Sequence, residues 1–252
     1  MANDPVNIYA SASRALPALT AEGGTGPVRM THRGELVAWQ LGKPLYGACD
    51  EGGYFTAVNP TVGTGIAGIA AADGYSAIET LFLLYNSSTV AERTRLYLDY
   101  IEIHNTVVDT AGTNIRVDCH IDTGDRFSSG GTAITPANMN TDSTASAKGR
   151  LRFGAVVSTA ASSSVRQVYG KALSTTDIVV EDVIRFEFGN SGGAASPASV
   201  LHQVGEGTTG RVWVLPCPPV VLGPNSSFLM SVNCASQSGA ATWAFNSGWF
   251  ER

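Results

Sequence analysis

Apolar residues in this chain recur at every second position in segment after segment, and helical spacing is nearly absent. A strand sends successive side chains to opposite faces, so this period predicts β-structure. In "ELVAWQL", Val37, Trp39 and Leu41 alternate with polar or small residues. "RLRFGAVV" places Leu151, Phe153, Ala155 and Val157 opposite Arg150 and Arg152, and "VIRFEFG" sets Ile184, Phe186 and Phe188 against Arg185 and Glu187. Ile78–Asn86 and Arg95–Asn105 are more continuously apolar, which predicts central strands covered on both sides. "IRVDCHID", "RVWVLP", "PVVL", "SFLMSVN" and "ATWAFNSGWFER" bring the expectation to about eleven strands. Turns separate them, as at Gly223-Pro224-Asn225-Ser226 and Gln237-Ser238-Gly239. One capping-box spacing, Thr89-x-x-Glu92, leaves room for a single helical turn.

Many antiparallel strands joined by small-residue loops predict an all-β, jelly-roll-like β-sandwich. No repeat of 20–50 residues is present, which argues against a propeller or β-helix. Residues 1–34 mix Pro, Gly and polar residues without a period and are expected to form an extended N-terminal arm; residues 35–252 then form a single domain. Arg126–Gly149 reads as a long loop, and a loop of that length in a compact domain is usually packed by a partner or functional.

Composition sharpens this picture. Charged residues are 15% of the 252, well below the roughly 25% of an ordinary soluble domain, and the net charge is −5. A surface so poor in charge predicts burial in subunit contacts. No Lys/Arg cluster is present, which disfavours nucleic acid as a partner. The start "MANDPVNIYA" lacks the character of a signal peptide, and the apolar run "GIAGIAAA" is far shorter than the ~20 residues of a membrane helix, so no membrane role is expected. Cys49, Cys119, Cys217 and Cys234 are scattered and read as free thiols, with a Cys217–Cys234 bridge left open. Without a secretory signal, Asn86-Ser87-Ser88 and Asn225-Ser226-Ser227 read as turn residues rather than glycosylation sites. Trp39, Trp213, Trp243 and Trp249 lie in strand patterns and read as core or interface.

Two stretches look like chemistry. In "IRVDCHID", Asp118, His120 and Asp122 share one strand face while Ile115, Val117, Cys119 and Ile121 share the other. Alternate residues lie roughly 7 Å apart, too wide for one zinc unless a neighbouring strand adds a ligand such as His104. A solvated strand face is the expected reading, with neither metal nor cofactor. "FGNSGG", with Ser191 at its centre, is similar to the nucleophile motif of chymotrypsin-like proteases, and the order His104 or His120, then Asp, then Ser191 matches that family. Neither "EIHN" nor "DCHI" resembles the protease histidine context, and a Gly/Ser loop explains the match. Neighbouring carboxylates such as Glu181-Asp182 and Asp50-Glu51 lack the facing geometry of a glycosidase pair.

Three segments, "RLYLDYIEIHNTVVDTAGT", "DTGDRFSSGGTAITPANMNTDSTAS" and the C-terminal "PPVVLGPNSSFLMSVNCASQSGAATWAFNSGWFER", resemble virion structural proteins of tailed bacteriophages. The resemblance runs over about residues 30–252 and implies a jelly-roll-like sandwich of the kind used in capsid decoration (cement) proteins, spikes and fibres, without catalytic or ligand positions. It implies a non-enzymatic, homo-oligomeric decoration protein, a trimer, bound to the major capsid protein or another virion protein. The acidic balance favours the outer surface of the capsid over its DNA-lined interior, for a protein made in the host cytoplasm. A tail, head-spike or fibre component binding a receptor or glycan is the alternative, and the protease comes third. The small-residue run supplies the interface candidates Gly65, Ile66, Ala67, Gly68, Ile69 and Ala70; the long loop supplies Phe127, Thr135, Asn138 and Asn140.

Overall fold

The computed structural model describes residues 49–68, 79–107, 113–159, 164–173, 179–189, 210–235 and 241–252. The arm, the strand expected at "ELVAWQL", Trp39, the Gln237–Gly239 turn and Ser191 lie outside the described residues. The described residues form, in order, β1 (Tyr54–Val58), β2 (Ile66–Ala67), β3 (Glu79–Asn86), β4 (Leu96–Val107) and β5 (Thr113–Asp122). Next come β6 (Phe127–Ile134), β7 (Ala137–Asn138), β8 (Gly149–Ser158), β9 (Arg166–Ala172) and β10 (Val183–Phe188). The last four are β11 (Val212–Cys217), β12 (Val221–Leu222), β13 (Ser227–Ala235) and β14 (Thr242–Glu251).

These strands form two sheets. The first runs β11-β10-β4-β14-β1-β7, with β12 also on β4 and β2 also on β14; the second runs β6-β8-β3-β13-β5-β9. Every pairing is antiparallel except β10 with β11. The chain crosses between sheets repeatedly, from β3 to β4, β4 to β5, β9 to β10 and β13 to β14, which makes an all-β, jelly-roll-like sandwich.

Alternation sends one side of each sheet inward, and aromatic rings from both sheets meet there. Phe245 of the first sheet stacks on Phe153 of the second at 4.2 Å and meets Phe82 edge-on at 6.4 Å. Phe188 meets Phe228 edge-on, and Phe186 meets Tyr169. Trp213, Trp243 and Trp249 are all buried in this core. Burying each such side chain contributes on the order of 2–3 kcal/mol, so the expected core positions carry the fold.

Coverage differs between the two central strands. β3 is buried on both faces, because Leu83 packs with Val156 and Leu229 in a second cluster outside the sheet. β4 is not: Leu96, Leu98, Ile101 and Ile103 face the core, while Tyr97, Tyr100, Glu102 and His104 are half-buried on the outer face. That side is lined by an aromatic and charged network instead of another layer, which corrects the two-sided expectation for Arg95–Asn105.

The expected loop at Arg126–Gly149 is also corrected. Its first part is β6, an edge strand paired with β8, and its second holds β7, paired with β1. Ser, Gly and Thr mask β6 because its backbone ladder, not a buried side-chain stripe, holds it. Gly130 and Gly131 sit at φ of +71° and +62°, beside two breaks in register, so the edge is bulged. The rest of the stretch is stitched to its own chain: Asn138 Nδ2 donates to Gly52 O and Asn140 Nδ2 to Asp50 O, both at 2.9 Å.

Candidate interaction surface

The turn from β1 to β2 is built by one asparagine. Asn59 Nδ2 donates to Thr61 O at 2.6 Å and Thr64 O at 2.7 Å, its backbone N–H donates to Phe245 O, and Gly63 takes the left-handed φ of +76°. The turn stands over the outer face of the first sheet and encloses a groove of about 420 Å³. Val58, Asn59, Val62, Glu102, His104, Val183 and Asn246 line it. Val62 is 99% exposed and Val58 53%.

Glu102 and His104 of the lining pair with residues beside the groove, on β4 and its neighbours. Arg185 donates to Glu102 at 3.1 Å and to Glu187 at 3.0 Å, and its guanidinium lies 4.8 Å from the centre of the Tyr100 ring. Burial disfavours the Arg185 charge, but hydrogen bonds to Glu187 and Glu102 outweigh it and raise its pKa. Asn246 Nδ2 reaches Glu102 at 3.4 Å, and His104 Nε2 lies 3.0 Å from Glu181. On the far end of this face Tyr97 stacks on Phe250 at 4.7 Å.

The face "Asp118-x-His120-x-Asp122" lies on the other sheet, so His104 cannot join His120 about one metal. Asp118 accepts from Gln167 Nε2 at 3.1 Å, and burial raises its pKa. His120 and Asp122, expected to be wet, are buried. For Asp122 the reason is Arg126, which folds back from the β5–β6 turn to donate to it at 2.9 Å. Asp122 also accepts from Thr123 N at 2.7 Å and Ser164 Oγ at 2.5 Å, while Arg126 donates to Thr159 O and, through its backbone, to Ser227 Oγ. The sequence hid this pair because Arg126 lies four residues on, beyond a turn. Among the described residues no group of three or more His, Cys, Asp or Glu could hold a metal ion.

Other carboxylates take capping roles. Buried Asp182 accepts from Val179 N and Arg211 N and pairs with the Arg211 guanidinium at 2.6 Å. Glu251 accepts from Lys148 N, Gly149 N and Trp249 Nε1. The Thr89–Glu92 capping box forms in both directions, at 2.7 and 3.2 Å. Asn86, read as a turn residue, is a buried hub that donates to Thr94 O and Leu222 O, whereas Asn225 holds its turn at φ +60°.

The interface candidates are dispersed. Gly65, Ile66 and Gly68 make intramolecular close approaches: a Cβ on Gly65 would strike Thr106, and Ile66 fits against Gly154 of β8. Ala67 and Thr135 are exposed, and Phe127, Asn138 and Asn140 are half-buried. Ile69 and Ala70 lie outside the described residues. Arg152 sits 4.3 Å from the centre of the Phe127 ring. Cys217 is a free thiol, which corrects the open bridge to Cys234; burial pushes its pKa up to about 12. Cys119 is likewise free and buried, and Cys49 is free and half-buried.

No family model matches the chain, and no curated protein matches it. Among solved structures it is similar to the unassembled KI polyomavirus VP1 pentamer, at 10% identity over 79% of this chain and 92% of that one, with a TM-score of 0.22. No helix among the described residues is long and apolar enough to cross a membrane.

Proposed function

We propose that this protein is a non-enzymatic structural component of a tailed-phage virion, a capsid decoration protein that assembles with copies of itself and grips the shell. The observation that carries the reading is where the polar chemistry goes. Asp122, Asp182 and Glu251 hold turns, strand ends and arginines, so these carboxylates stiffen a scaffold rather than face a reacting group. The three phage-like segments supply the virion context, and the low charged fraction supports a surface covered by copies of itself. A trimer suits this role, since a heterologous ring closes at three and matches the three-fold positions of an icosahedral shell.

The test is reconstitution. Purified protein mixed with undecorated heads should appear by cryo-EM as density on the outer capsid surface, and light scattering should give three times the 26.3 kDa chain mass. Removing residues 1–30 should leave the sandwich folded and weaken attachment. A monomer that leaves heads bare, or density confined to the tail, would overturn the reading.

A further inference from the structure

We draw no further inference here: the strongest candidate, the aromatic patch on the outer face of the first sheet where Tyr97 stacks on Phe250 beside the exposed Val221, carries nothing because nothing among the described residues shows what covers it.

Discussion

The two outer faces of the sandwich carry the same chemical pair, carboxylate and guanidinium, under opposite solvation. On the second sheet, the Arg126 and Asp122 side chains are 2% and 0% exposed; on the first, Arg185 and Glu102 are 37% and 28% exposed. Distances are nearly alike, 2.9 and 3.1 Å, so geometry does not separate them. Water does. An exposed pair replaces good hydration with a screened attraction, whereas a buried pair has given up hydration and depends on its partner. The first trades its partner for water at little cost. The second is part of the frame.

The sharpest way to break this contrast is Arg126→Met. It removes the guanidinium from a carboxylate that stays buried, and should cost about 3–5 kcal/mol. Asp122→Leu combined with Arg126→Met should cost clearly less than the sum of the two single changes, because no charge is stranded. Urea denaturation of the four proteins measures this cycle. Additive losses would mean that the pair is not coupled and that burial is not the deciding variable.

Arg211→Met tests an intermediate case. Asp182 is as buried as Asp122, but Arg211 is 17% exposed, and the carboxylate keeps backbone donors from Val179 and residue 211. The loss should be about 1.5–3 kcal/mol, below that of Arg126→Met. A larger loss than at Arg126 would show that the strand-end connection, not solvation, sets the scale.

These pairs also mark what was legible in the sequence. Strands with a buried stripe were readable, because alternation at Leu151-Phe153 or Ile184-Phe186 reports directly which side meets the core. β6 and β9 were not: as edge strands they are held by backbone ladders on one side, and Ser129, Gly130, Arg166 and Gln167 record contact with solvent. β1 was too short to show a period. The polar face of β5 was assigned to the right side, but its dryness was hidden, since burial of Asp122 depends on Arg126 returning across a turn. The groove was invisible for a related reason. Val58, Glu102, Val183 and Asn246 come from four strands, and only the sheet order brings them together.

His120 extends the contrast to pH. Burial is the main influence lowering its pKa, helped by Arg126 and opposed by Asp118. The unfolded chain therefore takes up a proton near pH 6.5 before the folded protein does, and stability falls as pH drops through that range towards the folded pKa. Asp118 has the opposite sign: burial raises its pKa, so its contribution grows on acidification towards its unfolded range near about 4. The His120 effect is therefore read above pH 5. Urea midpoints for the wild type should fall from pH 8 to pH 5 more steeply than those of His120→Gln. Parallel curves would reject the assignment.

The smallest effect is expected at Glu102→Gln, and it tests the exposed side of the contrast. Glu102 is half-buried at the rim of the groove, Arg185 keeps Glu187, and the amide preserves the side-chain shape. Exposed pairs contribute about 0.2–1 kcal/mol, so unfolding should shift by no more than that. Raising the salt concentration should shrink the difference further, because the Debye length drops to about 3 Å at 1 M, whereas the loss from Arg126→Met should persist. Salt titration of both variants measures the two responses side by side. A loss above 2 kcal/mol from Glu102→Gln that persists at high salt would place Glu102 in the frame with Asp122. The groove charges would then be structural, and the faces would differ only in degree.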